Sequence, residues 1–211
     1  MVRVDVPAPV PTGTATSDLV TVLHTVQQKA VAVVGVAIPP APIDVAGVRI
    51  RFGCDVALDD RGYDEMLARA DAAVSRLWPR TRIVAGHRLL PVLDQAMLLR
   101  SDPGHDDMLR MVRDRWVNRP SMLQPKMVDT AHDRAQAPVT GVSLAGVCGQ
   151  AGLHTRWIGP DENSGDVART ALTGALAIAL MAVPDVFRWS PWLDLDAIVA
   201  SVLDVRGVDG S

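Results

Sequence analysis

A chain of 211 residues is long enough for one domain with its own hydrophobic core. A net charge of −3 argues against a general nucleic-acid-binding protein, because such proteins need a strongly basic face. Two cysteines are too few for a secreted disulfide framework, and the longest apolar runs are shorter than the ~17 residues that span a bilayer. We therefore expect a cytoplasmic protein with free thiols and no membrane contact.

The first sixteen residues are rich in proline, threonine and glycine and have no hydrophobic periodicity. Such a segment cannot bury enough apolar surface to offset the entropy lost on ordering. Its prolines also interrupt the apolar helix that a signal peptide needs. The sequence therefore predicts an extended N-terminal arm over residues 1–16, held by a neighbouring subunit, followed by a single domain over residues 17–211.

The first half of this domain shows both helical and strand patterns. Residues 17–33 carry apolar side chains at helical spacing and predict a first helix, followed by a proline-containing linker. The segment "GVRIRFGCDVAL", residues 47–58, alternates apolar and polar residues and predicts an antiparallel or edge strand. Residues 62–78 predict a helix and residues 81–90 a short buried strand.

The second half is predicted to be mostly helical. Helices are expected over residues 91–99 and 102–116, before an irregular segment at 118–128 that contains two prolines. "PVTGVSLAGV" and "LHTRWIG" predict two strands around a glycine turn. A long apolar helix over residues 164–183 and a C-terminal helix opened by Pro191 complete the chain. The predicted fold is α+β or α/β, with a short mixed sheet covered by several helices.

The segment "LAGVCGQAGLHTRW" is the best candidate for catalytic chemistry. Cys148 lies among glycines, and His154 follows six residues later. A thiolate nucleophile needs a base within hydrogen-bond reach and a third group that orients the base, for which Asp161 and Glu162 are candidates. The alternative is a glycine turn with a small buried thiol and an ordinary polar histidine. No family-specific signature surrounds the cysteine.

His87 is the second candidate, because it follows a predicted strand, where ligand-binding residues of α/β proteins commonly lie. No two histidines are spaced to bind one metal ion from a helix face, and no phosphate-binding glycine motif is present. The sequence therefore predicts no metal and no cofactor. A metal site assembled from distant residues, such as His87, His132 and Asp133, has no support in the spacing.

Nearly all the positive charge is arginine, and much of it falls in two clusters. Their guanidinium groups could bind an anionic ligand, although solvated faces balanced by nearby carboxylates explain the pattern more simply. The clusters comprise Arg76, Arg80, Arg82 and Arg88, and Arg110, Arg113, Arg115 and Arg119.

The leading hypothesis from the sequence is a non-catalytic subunit of a larger protein assembly, with itself or other proteins as partners. An apolar fraction of 48% and a mean hydropathy of +0.17 are high for a soluble protein. Phe187, Trp189 and Trp192 lie close together near the C-terminus, either as part of the core of the domain or as anchors of an interface, where tryptophan is enriched. The alternatives are a small-molecule enzyme that uses Cys148 and His154, and an anion-binding protein that uses the arginine clusters.

Overall fold

A computed structural model describes residues 18–26, 30–45, 52–58, 62–98, 107–118, 125–131, 143–155, 164–191 and 193–204. The strands are β1 (Leu19–Val26), β2 (Ala30–Ala37), β3 (Ile43–Asp44), β4 (Phe52–Leu58), β5 (Thr81–Gly86), β6 (Lys126–Asp129), β7 (Leu153–His154), β8 (Phe187–Arg188) and β9 (Leu193–Asp194). The helices are α1 (Tyr63–Leu77), α2 (Leu89–Leu98), α3 (Asp107–Asn118), α4 (Leu144–Gln150), α5 (Ser164–Ala182) and α6 (Leu195–Asp204), and Trp78–Arg80 form a short 3-10 helix. The predicted N-terminal arm, residues 1–16, lies outside the described residues.

The centre of the fold is a mixed five-stranded sheet with the strand order β4-β2-β1-β5-β6. β1, β5 and β6 are parallel to one another, whereas β2 is antiparallel to both β1 and β4. Helices cover both faces of the sheet and form two hydrophobic cores, one with α4, α5 and α6 and the other with α1, α2 and α3. The predicted fold class, a mixed sheet covered by helices, is therefore confirmed.

The predicted first helix is wrong, because residues 19–26 and 30–37 form the antiparallel strands β1 and β2. Both strands lie at the centre of the sheet with both faces covered, so nearly every side chain is buried and no apolar–polar alternation remains. In such a run, some apolar residues fall at helical spacing by chance. The many β-branched valines favour the strand over the helix.

Several predicted elements are confirmed in the structure. β4 is an antiparallel edge strand, α1 covers the expected segment, and β5 ends immediately before His87. The segment predicted to be irregular contains the short edge strand β6, which begins directly after Pro125. Proline is tolerated at the start of a strand, so Pro125 is compatible with pairing from the next residue.

The predicted pair of strands around the glycine turn is partly wrong, because residues 144–150 form the helix α4. Ser143 caps this helix by accepting a hydrogen bond from the backbone N–H of Gly146 at 3.1 Å. Leu144 and Cys148 lie one helical turn apart and are both buried. With seven residues, three of them glycine or alanine, α4 is too short to show a helical pattern in the sequence.

The long apolar helix α5 lies at the centre of one core, where every residue from Ala171 to Leu180 is buried. Sheet strands β1 and β2 cover one side of it and α6 packs against another. Among the described residues, Val117 is the one large hydrophobic side chain that is exposed. Within the described ranges, no helix combines the length and the hydropathy that crossing a membrane requires.

Candidate functional site

The parallel strands β1, β5 and β6 end at the same edge of the sheet. The strand that follows β1 in the chain, β2, lies on one side of it, whereas β5 lies on the other side and is followed by α2 and, further along the sheet, by β6. The boundary between β1 and β5 is therefore the point at which the connections diverge. In open α/β sheets, ligands bind outside the carboxyl ends of the strands at such a point.

Three polar side chains lie side by side at this edge. Val22, Ala85 and Val128 are cross-strand neighbours on the face of the sheet that packs against α5. Because side chains two residues apart in a strand share a face, the next row on that face comprises His24, His87 and Thr130. We call these three residues the histidine row.

His24 occupies the α5 side of the histidine row. A Cβ atom at Gly174 of α5 would lie 2.5 Å from Nε2 of His24, so the ring packs against a position where only glycine fits. The surrounding protein disfavours the charged ring, and the charge of His87 adds a smaller effect in the same direction. Together these effects lower the pKa of His24 to about 4. His24 is therefore uncharged at neutral pH.

A hydrogen-bond chain sets the tautomer of His87. Nδ1 of His87 lies 3.1 Å from Oγ1 of Thr130, and this hydroxyl lies 3.2 Å from the backbone oxygen of Gly86, to which it donates. A hydroxyl has one proton to donate, so Thr130 accepts from Nδ1–H of His87. In the neutral ring, Nε2 then carries the lone pair. A histidine held in this way can accept a proton, and its orientation is fixed by the partner of its other nitrogen.

Asp129 holds the turn that joins β5 to α2. Its Oδ1 atom accepts hydrogen bonds from the backbone N–H groups of Arg88 at 2.8 Å and Ala131 at 2.9 Å, and its Oδ2 atom accepts from Leu89 at 2.8 Å. The carboxylate is 5% exposed. Arg88 has a φ of +54°, in the left-handed region that L-residues seldom adopt. Backbone strain of this kind persists where surrounding contacts enforce it, and it is concentrated at functional sites.

The residues of the predicted thiol site lie in different environments. Cys148 faces the core and is fully buried, and burial raises the pKa of its thiol to about 12. The thiol is therefore protonated at neutral pH. His154, on β7, is exposed, and Asp161 lies outside the described residues. Gly152 has a φ of +74°, so the turn before β7 uses a glycine for its backbone conformation.

The arginines of the two clusters interact with other groups of the chain. Arg82 forms an ion pair with Asp18 at 2.8 Å, and Arg113 forms one with Asp94. The guanidinium carbon of Arg115 lies 5.7 Å from the ring centroid of Trp78. Further contacts within the chain involve Arg76, Arg80 and Arg110, whereas Arg119 lies outside the described residues. An anionic ligand would have to compete with these contacts.

The sequence identified one member of the histidine row, His87, from its place after a strand. His24 was assigned to a helix, and Thr130 lies between the predicted segments, so neither was placed at the sheet edge. The signal for Thr130 was weak but present, because "KMVDT" is a short apolar run that ends in two polar residues. The part of the chain that the structure describes contains no group of three metal-binding side chains.

No protein family, characterised protein or solved structure shows significant similarity to this chain. A functional proposal therefore depends on the geometry of the site.

Proposed function

We propose that this protein binds a small molecule at the histidine row, where the ring of His87 is held in one orientation. The observation that carries the proposal is the hydrogen bond between His87 and Thr130 at the carboxyl ends of β5 and β6. This bond fixes the ring at the edge of the sheet where α/β proteins commonly bind ligands. Imidazoles that are oriented in this way serve in ligand recognition and in general acid–base catalysis.

The energetics of the sheet edge support a binding role. Burial lowers the pKa of His24 and so opposes its protonation, with a smaller contribution from the charge of His87. A non-glycine residue in the left-handed region costs on the order of 1 kcal/mol. A purely structural edge would gain stability from apolar side chains and a glycine at these positions. That the protein keeps these two unfavourable features supports a functional role for this sheet edge.

Partial exposure of both rings also supports the proposal. His24 and His87 are half-buried, so each presents some surface to solvent while the remainder is held by the protein. Buried Cys148, by contrast, has no exposed surface. A small molecule can therefore reach the imidazoles but not the thiol.

Nuclear magnetic resonance of protein labelled with ¹⁵N at histidine tests this proposal. We expect small fragments that bind at the histidine row to shift the signals of both His87 and His24. His87→Asn should abolish these shifts at His24, whereas His154→Asn, at an exposed histidine outside the row, should leave them unchanged. Fragment binding that survives His87→Asn, or that clusters elsewhere on the protein, would contradict the proposal.

A subunit role in a larger assembly is a separate prediction and is not tested by the structure. Phe187 is buried, and the indole N–H of Trp189 donates to the backbone oxygen of Ala151 at 2.8 Å. Both aromatic residues are thus used inside the chain, and Trp192 and the N-terminal arm lie outside the described residues. Light scattering at high concentration tests this role, and a monomer would count against it.

A cytoplasmic location is part of our proposal, because Cys148 is a free thiol.

A further inference from the structure

Thr170, on α5, has a buried hydroxyl group that lacks a hydrogen-bond partner. The residue is 8% exposed, and its Oγ1 atom makes no hydrogen bond to the described part of the chain. By contrast, the hydroxyl of Thr173, three residues further along α5, donates to Asp196 at 3.3 Å. A buried polar group without a partner is costly, and native proteins retain few of them. A polar group from outside the chain would remove this cost at Thr170.

The side chain of Thr170 lies next to His24 of the histidine row. A Cβ atom at Gly174 would lie 2.5 Å from Nε2 of His24, so the imidazole packs against this point of α5. Thr170 and Gly174 are four residues apart and share a face of the helix, with about 5–6 Å between their Cβ positions. The Cα–Cβ bonds of a helix tilt towards its N-terminus, so the imidazole lies over the turn between Gly174 and Thr170. The ring of His24 and the hydroxyl of Thr170 are therefore neighbours.

This turn of α5 is directed towards the edge of the sheet at which the parallel strands end. After α5 the chain forms β8, which pairs with β3. β3 follows β2, and the end of β2 lies beside the start of β1, where the N–H of Ile38 donates to the backbone oxygen of Asp18 at 2.8 Å. The C-terminal end of α5 therefore lies towards the start of β1. Its N-terminal half, with Thr170, lies towards the carboxyl end of β1 and the histidine row.

We infer that Thr170 is a ligand-binding residue: its hydroxyl and the imidazole of His24 together bind one uncharged polar group, such as a hydroxyl or a primary amide, of the molecule that occupies the histidine row. This inference rests on the proposed function and names the part of the ligand that reaches between β1 and α5. A hydroxyl or an amide can both donate and accept, so one such group can satisfy Thr170 and His24 at the same time.

The side chains that face this position favour an uncharged ligand group. On β1, burial lowers the pKa of His24 to about 4, with a smaller contribution from the charge of His87, so His24 is uncharged at neutral pH. From α4, Leu144 lies 3.3 Å from the Cβ position at Gly174 and adds an apolar surface. From α5, Thr170 adds a neutral hydroxyl. An ionised group that is buried among neutral side chains loses its hydration without gaining an opposite charge.

Titration of ¹⁵N-histidine-labelled protein with acetamide and with isopropanol tests the contact with Thr170. We expect both probes to shift the signals of His24 and His87. Thr170→Val replaces the hydroxyl with a methyl group and should weaken binding about threefold to tenfold, as the loss of one hydrogen bond predicts. Thr170→Ser keeps the hydroxyl and should retain binding. Thr173→Val is the matched control and should leave binding unchanged, because its hydroxyl already has a partner in Asp196.

The outcomes separate this inference from the proposed function. Equal binding to the unsubstituted protein and to Thr170→Val overturns the inference and leaves the proposed function standing. Acetate has nearly the shape of acetamide but carries a negative charge, so we expect it to bind more weakly, and equal or tighter binding of acetate overturns the assignment of an uncharged group. If no probe shifts the signals of His24 and His87, the proposed function fails, and this inference fails with it.

Thermal unfolding without a ligand tests whether the hydroxyl of Thr170 is unpaired. We expect Thr170→Val to raise the Tm or leave it unchanged, because the substitution removes an unsatisfied hydroxyl at nearly constant volume. Thr173→Val should lower the Tm by about 2–4 °C, because Asp196 loses a hydrogen bond. If Thr170→Val lowers the Tm as much as Thr173→Val does, or does not fold, the hydroxyl of Thr170 is bonded within the chain and the inference is overturned.

Discussion

Two regions of this molecule combine a histidine with a second reactive side chain, and the two regions differ in how these side chains are buried. In the histidine row, His24 and His87 are half-buried and lie on one face of the sheet, where Thr130 orients His87. In the segment from α4 to β7, the reactive atom of Cys148 is inside the core, whereas His154 is exposed. Cys148 and His154 are close in the sequence but lie in different environments. His24 and His87 are distant in the sequence and are brought to the same sheet edge by strand pairing.

The difference shows what makes a polar residue available for chemistry. Cys148 lies one helical turn from Leu144 on the buried face of α4, so its thiol behaves as a small apolar group. The histidine row lies where strands end, and the backbone there must turn and expose side chains. Polar groups at that edge can be oriented by hydrogen bonds and still contact solvent.

The largest expected effect concerns the response of the protein to acid. The pKa of His24 is about 4 in the folded protein and 6.5 in the unfolded chain, so between these values the unfolded chain binds more protons. Stability from this residue is therefore fully present above pH 6.5 and is lost as the pH falls towards 4. The difference of 2.5 between the two pKa values corresponds to about 3 kcal/mol as an upper bound, because His24 keeps some contact with solvent.

Urea unfolding of the unsubstituted protein and of His24→Asn, measured from pH 7.5 to pH 4, isolates this contribution. The two proteins share all their carboxylates, so effects of these groups cancel in the difference between the two curves. We expect the unsubstituted protein to lose more stability than His24→Asn over this range. Parallel curves would show that His24 is not packed as the structure has it and would remove the contrast between the two regions.

The second effect tests the other region. In a Cys54→Ser background, we expect the thiol of Cys148 to react with a disulfide reagent at neutral pH only when the protein unfolds, because the pKa of about 12 and full burial suppress the thiolate. Cys148→Ala should lower the free energy of unfolding by about 1–2 kcal/mol, since it leaves a small cavity. The same variant should not alter the ¹⁵N signals of His87. Rapid labelling of the folded protein would contradict this prediction, and Cys148 would again be a candidate nucleophile.

Sequence patterns predicted those elements whose apolar residues repeat with a clear period. α1 has one apolar face, and β4 is an edge strand with alternating residues, so both were recognisable. β1 and β2 are covered on both faces, and for such strands hydrophobic periodicity cannot distinguish a strand from a helix. The fold class was therefore predictable, although the hairpin at its centre was not.

The candidate site was less predictable than the fold, and the reason is physical. Its members come from positions 24, 87 and 130, and only the parallel pairing of β1, β5 and β6 brings them together. Pairing between distant strands depends on the packing of the whole domain and leaves no local signal. His87 was recognisable because its position after a strand is a local property.

The smallest expected effect concerns how each region makes its tight turn. The turn between α4 and β7 places Gly152 at a φ of +74°, where glycine is unstrained, whereas the turn after the histidine row places Arg88 at +54°. We expect Arg88→Gly to raise the free energy of unfolding by about 1 kcal/mol or less, because relief of the strain is partly offset by the greater entropy of glycine in the unfolded chain. Ala72→Gly, on the exposed surface of α1, is the control and should lower it by about 1 kcal/mol. If Arg88→Gly destabilises the protein as much as Ala72→Gly does, the turn is unstrained, and the argument that the histidine row retains a costly conformation for function loses its backbone component.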